Sequence, residues 1–261
     1  TFPGLREQIT ITMNEHQLTN IKRYGELSDR ARQTGIYTYS CFHSRETASL
    51  AYEVAPEKEI TVWGGTENSE RVVVRFGDPE EIGYEESFPI RILCVTPKME
   101  KYSDKLTHRD FLGAILNLGI ERDMVGDILV HGNTAYCFVM EKVADVFCTD
   151  LDRVCHTAVK CSIVDAVPDD CTPKLQAESI TVTSPRLDAI LAKVFHLSRG
   201  EAKTLFEMEK VTLDGRICRN PETVLKENSK VSVRGYGKLE YHGDEHVTKK
   251  GKTGLTIWRY V

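Results

Sequence analysis

The sequence has no apolar run long enough to cross a membrane. Such a span takes roughly 18 to 20 apolar residues. The longest apolar stretch, Phe111 to Ile120, is broken by Gly113, Asn117 and Gly119. The chain opens TFPGLREQ, without the basic-then-apolar pattern of a secretory signal. Its eight cysteines include no Cys-x-x-Cys pair, and several lie in apolar runs (ILCV, AYCFV) as small hydrophobes. There is no phosphate loop, and Gly64-Gly65 does not make a dinucleotide fingerprint. His108-Arg109-Asp110 is the triplet of a kinase catalytic loop, but no glycine-rich loop, DFG or partner asparagine accompanies it. The expectation is a cytoplasmic chain with reduced thiols, no membrane span, no cofactor and no small-molecule substrate.

What is present is ordinary globular composition: 261 residues, 28% charged and 41% hydrophobic, enough for two domains or one large one. The net charge of −5 is unevenly divided. Thr183 to Val261 holds 15 basic and 10 acidic residues, and the preceding part holds 19 and 29. A basic C-terminal third on an acidic body points to a polyanionic partner.

The order of patterns along the chain predicts an α+β protein. Residues 1–87 read as a helical N-terminal region with short strands: helices over 14–33 and 44–54, then strands Ile60–Trp63 and Arg71–Phe76. Residues 88–167 run β-α-β-β-α-β, the split order of a ferredoxin-like (RRM-like) domain. Its first helix opens at Thr107 with Asp110 three residues on, a variant of the capping box. Its hairpin turns at His131-Gly132-Asn133-Thr134. Residues 168–182, acidic and bearing Pro168 and Pro173, read as a linker.

Residues 183–261 carry the most specific signals. Leu187, Ile190, Leu191 and Val194 recur at helical spacing. Ser198-Arg-Gly-Glu201 opens a second helix with a capping box. On that helix Arg199 and Lys203 stand four apart, where like charges repel weakly and a phosphate between them would reverse the sign. Lys210–Leu213, a turn at Asp214-Gly215, and Val231–Val233 follow as strands. A glycine-rich basic exit, Arg234 to Lys238, comes next. Lys249, Lys250 and Lys252 then crowd a turn before Leu255–Trp258. Tyr236, Tyr241 and Trp258 are either base-stacking or packing residues.

The series R-L-D-x-x-L, L-S-R-x-x-A, K-V-x-x-D-G-R and V-x-V-R-G resembles the S-four-type RNA-binding domain, or alpha-L motif. The resemblance implies two helices on a small twisted sheet with a β extension. It implies RNA contacts from Arg186, Ser198, Arg199, Lys203, Lys210 and Arg216, and the basic exit adds Arg234 and Lys238. Glu207, Glu209 and Asp214 depart from that pattern, standing where a basic residue, a glycine and an asparagine are usual. In the body, Trp63-Gly64-Gly65 followed by Ser69-Glu70-Arg71 is one match. Thr107 to Gly113, Asn117 to Arg122 and Gly126 to Val130 form a longer one. Together they resemble the YlmH family of bacterial RNA-binding proteins. That resemblance implies a non-catalytic factor on the large ribosomal subunit, touching rRNA and peptidyl-tRNA in translation rescue and quality control. Because the longer match includes Arg109, it is a candidate for a second RNA surface.

The alternative is an RNA-modifying enzyme of the pseudouridine-synthase kind, with the C-terminal module as targeting arm. It rests on Arg186-Leu187-Asp188, which resembles that class's catalytic triplet. Here, however, the triplet opens an amphipathic helix. Cys148, Cys155-His156, Cys161 and Cys171 are too irregularly spaced for a structural zinc set. No catalytic residue and no metal site are assigned.

Overall fold

A computed structural model describes residues 15–171, 174–247 and 252–260. The chain forms two compact units, Thr1–Thr172 and Pro173–Val261. In the first, helix α1 (Glu15–Thr34) buries Tyr24, Leu27, Ser28 and Ala31, a spacing that makes one stripe. It ends at Gly35, where φ is +65° and the N–H donates to the Ala31 carbonyl at 2.9 Å. Strands β1 (Thr38–Tyr39), β2 (His43–Ser44), β3 (Ile60–Trp63) and β4 (Arg71–Phe76) follow, with β4 paired to the other three. The helix expected over 44–54 is divided. An α-turn at Arg45–Ala48, capped by Ser44, passes into a 3-10 stretch at Ser49–Glu53. There the Ser49 hydroxyl donates to the Glu46 carbonyl (2.7 Å), a local bond that competes with the α ladder.

The ferredoxin-like part comprises β5 (Ile90–Pro97), α2 (His108–Asn117), β6 (Val125–His131), β7 (Thr134–Met140), α3 (Glu141–Asp150), β8 (Arg153–Val154) and β9 (Thr157–Val164). Its sheet runs β6-β7-β5-β9-β8, all neighbours antiparallel. Without the short β8 this is the split βαβ order read from the sequence. Phe111 and Ile115 of α2 and Ala144 and Phe147 of α3 share one core with Leu93, Val95, Ala135, Cys137 and Val139. Burial pushes the Cys137 thiol up to about 12, so it packs as a neutral hydrophobe.

Two expected boundaries move. Residues 1–87 and 88–167 belong to one unit, because Phe42 and Val73 complete the core of the ferredoxin-like sheet. The two motif segments of the body meet there. The Asp127 carboxylate accepts the N–H groups of Glu70 (2.6 Å) and Arg71 (3.0 Å). The Arg71 guanidinium donates to the carbonyls of Val125 (2.9 Å), Phe42 (2.8 Å) and Arg122 (3.2 Å). Burial, with Arg122 beside it, lowers the Arg71 pKa to about 10, which leaves it charged at neutral pH. The second correction concerns the linker expected over 168–182. Leu175–Val182 is strand β10, paired over its whole length with the last strand. Only Ile180 and Val182 of it are buried, so its polar face disguised it as a connection.

The second unit continues with α4 (Leu187–Val194), α5 (Arg199–Glu207), β11 (Val211–Leu213), β12 (Arg216–Ile217), β13 (Ser229–Val233), β14 (Gly237–Val247) and β15 (Thr253–Tyr260). Its antiparallel sheet runs β10-β15-β14-β13-β11-β12. Leu187, Ile190, Leu191 and Val194 of α4, with Leu205 and Phe206 of α5, pack on Val211, Val231, Val233, Leu239, Leu255 and Ile257. No described helix is long and apolar enough to cross a membrane.

Candidate nucleic-acid interface

Helix α5 opens as its sequence predicts. The Ser198 Oγ accepts the Glu201 N–H (3.2 Å), and the Ser198 N–H donates to the Glu201 carboxylate (2.8 Å). The bond from the Ser198 backbone holds the Glu201 carboxyl below its ordinary range. Ser198 therefore spends its hydroxyl on its own helix, and the N–H groups of Arg199 and Gly200 stay at the open end.

The arginines are placed by an acid that sequence spacing did not assign to them. Asp188, 1% exposed, lies in the first turn of α4. It accepts two bonds from Arg186, both 3.2 Å, and an ion pair from Arg199 at 2.9 Å. Arg186 also reaches Glu222 at 2.9 Å. The predicted repulsion between Arg199 and Lys203 is thus offset by Asp188. Each guanidinium still has donors to spare, because five N–H groups exceed these bonds. The half-exposed Arg199 side chain presents its remainder to solvent. Lys203 is exposed one turn further on. Asp188 itself is buried beneath both arginines, a helix-start and bracing role.

The other predicted contacts divide into separate places. Lys210 and Arg234 adjoin, since the Arg234 N–H donates to the Lys210 carbonyl (3.0 Å). Arg216 pairs with Leu213, at the far end of β11 from Val211 and its partner Val233. Lys238 lies opposite Ser232 on β14. Among the stacking candidates, Tyr241 is buried in the core, Tyr236 packs on Phe195 (ring centroids 5.6 Å apart), and Trp258 stacks on His242 at the same separation. Lys249 and Lys250 lie outside the described residues.

Two departures from the resemblance have a backbone meaning. Asp214 (φ +50°) and Gly215 (φ +82°) make a hairpin turn with both central residues left-handed. The Asp214 carboxylate also accepts the Lys230 N–H at 2.7 Å. Glu209, at the position expected to be glycine, has φ +53° and pairs with Arg219 at 2.8 Å. A non-glycine residue there costs about 1 to 2 kcal/mol, and an exposed ion pair returns less than about 1 kcal/mol. Replacement of Glu209 by glycine is expected to stabilise the protein by about 0.5 to 1 kcal/mol, after the added freedom of the unfolded chain. Urea unfolding checks this, and a loss of stability would contradict it.

In the first unit, Arg109 lines an open groove of about 460 Å³ with Gly113, Asn117, Asp150, Asp152 and Arg153. Neighbouring Asp110 is held by the Thr107 N–H (2.8 Å) and hydroxyl (2.7 Å). Arg153, the second cation of the groove, stands in a hairpin strand too short to show a sequence pattern. The sheet face on which RRM domains stack bases is closed at Phe138, which is fully buried. Gly65, at φ +103°, lies so close that an added Cβ would fall 2.1 Å from that ring.

Residues 84–167 match the family model described as "Putative RNA-binding domain in YlmH". The chain is 30% identical over 203 residues to "Ribosome-associated protein quality control protein P2" of Bacillus subtilis (strain 168), covering 75% of this chain and 76% of the relative. The chain belongs to the YlmH family. A solved structure, "Cell division protein ylmH from Streptococcus pneumoniae", is 21% identical, with a TM-score of 0.47 over 59% of this chain and 93% of that one. The span of the YlmH family model covers the ferredoxin-like part, and the residues lining the Arg109 groove fall within it.

Proposed function

We propose that this YlmH-family chain is a non-catalytic, cytoplasmic RNA-binding factor of the ribosome. Its second unit serves as an S-four-type module that grips large-subunit rRNA, with peptidyl-tRNA alongside, in rescue or quality control of stalled translation. The observation that carries the reading is the Arg186–Asp188–Arg199 array at the amino ends of two helices, with Lys203 one turn beyond. Asp188 fixes both guanidiniums in direction, and their remaining donors match phosphate oxygens. The name of the Bacillus subtilis relative supports the ribosome as partner. The matched family model supports RNA as ligand and a second surface at Arg109.

The test uses residues whose removal leaves the array intact. Lys203 and Lys210 have no side-chain partner among the described residues. In a Lys203→Ala/Lys210→Ala variant, affinity for large ribosomal subunits is expected to fall. The slope of log affinity against log salt should shrink by about 2, one per lost phosphate contact. Co-sedimentation across a salt series measures both. An unchanged slope would remove these lysines from the interface.

A further inference from the structure

A cluster in the first unit lies outside everything assigned so far. His131 is the last residue of β6, and Asp170 and Cys171 belong to the 3-10 turn Asp169–Cys171. The His131 Nε2 is 3.7 Å from one Asp170 carboxylate oxygen, and the Cys171 Sγ is 3.5 Å from the other. One ligand atom from each of the three lies within 4.8 Å of the others. We propose that His131, Asp170 and Cys171 form a zinc-binding site with its fourth position open to water.

The distances carry the argument. Donors placed about 2.0 to 2.3 Å from a tetrahedral ion lie roughly 3.3 to 3.8 Å apart. The two measured separations run to different oxygens of the Asp170 carboxylate, and one oxygen, the imidazole and the thiol lie within 4.8 Å of one another, so side-chain rotation alone would gather them around one ion. The donor types select the metal. Calcium and magnesium take oxygen ligands, whereas one imidazole, one thiolate and one carboxylate suit zinc. Both backbones are held. His131 pairs with Thr134 across a two-residue turn whose Asn133 side chain accepts the Leu106 N–H (3.1 Å) and donates to Ser103 (2.6 Å). The Cys171 N–H donates to the Pro168 carbonyl (2.9 Å). Bound zinc would clip the β6–β7 hairpin to the last turn of the unit. Sequence spacing concealed the set, since its histidine belongs to a hairpin far upstream of the Asp-Cys pair.

The inference is independent of the RNA reading, and its test uses no RNA. Full-length protein, stripped with chelator, is titrated with zinc against a chromogenic chelator and separately with cobalt(II). One equivalent of zinc should bind, and cobalt should give a thiolate-to-metal charge-transfer band. Cys171→Ser should abolish the band, and His131→Ala and Asp170→Asn should each weaken zinc binding at least tenfold. Cys155→Ser, which removes an exposed thiol elsewhere, should change neither. The His131 and Asp170 side chains are 57% and 62% exposed, so these variants are expected to fold, as circular dichroism will verify. Absence of the band, its persistence in Cys171→Ser, or unchanged affinity in the other two variants would overturn the assignment.

Discussion

Replacing Gly65 by alanine is expected to destabilise the first unit by about 2 to 5 kcal/mol, the sum of two costs. The first is backbone: φ is +103°, a region that L side chains rarely adopt. The second is steric: the new Cβ would stand 2.1 and 2.4 Å from two carbons of the Phe138 ring. That ring is fully buried in the core shared with Phe42 and Val73, so it has little room to retreat. For a unit of this size the melting temperature should fall by roughly 10 °C. Gly113→Ala is the control. Gly113 is exposed on α2 with nothing within 4 Å of an added Cβ, so alanine there should stabilise by about 0.5 to 1 kcal/mol. Calorimetry on both variants decides. Equal and small effects would mean that the Gly65 loop does not bear on the sheet.

Loss of the Asp188 carboxylate is expected to destabilise the second unit. Asp188→Ala removes the anion between Arg186 and Arg199 and opens a gap at the first turn of α4. Breaking a buried ion pair costs about 3 to 5 kcal/mol when the partner stays buried. Arg186 is 29% exposed and Arg199 50% exposed, so water recovers part of their solvation. About 2 to 3 kcal/mol is the discounted expectation. The chain has two tryptophans, and only Trp258 lies in the second unit. In a Trp63→Phe background, denaturant unfolding followed by fluorescence therefore reports this unit. The Lys203→Ala/Lys210→Ala variant should show the opposite pattern, near-normal stability with weakened binding. That contrast separates residues that hold the site together from residues that reach RNA. An Asp188→Ala protein with undiminished stability would show that the array is ornamental to the fold.

Much of the local structure was legible because its bonds close within a few residues. The Ser198–Glu201 capping box, the Gly35 stop, the Gly132-Asn133 hairpin and the β-α-β-β-α-β order all announce themselves in spacing. Strand β10 leaves no strand pattern in the sequence because its exposed face is polar and its buried face amounts to Ile180 and Val182. Of the predicted contacts, Arg186 and Arg199 occupy adjoining helix starts with Lys203 one turn on, while Arg216 and Lys238 are carried to other parts of the sheet.

The amino-acid sequence alone determined the YlmH resemblance, the α+β class, the amphipathic helices and the basic character of the last third. Each follows from residue type and short-range periodicity. Only the tertiary structure decided that the Gly64-Gly65 and Asp127 motifs lock one sheet onto another, that Asp188 neutralises the arginines beside it, and that His131 meets Asp170 and Cys171. Those outcomes depend on which faces pack together, and long-range packing brings together groups whose separation along the chain carries no signal.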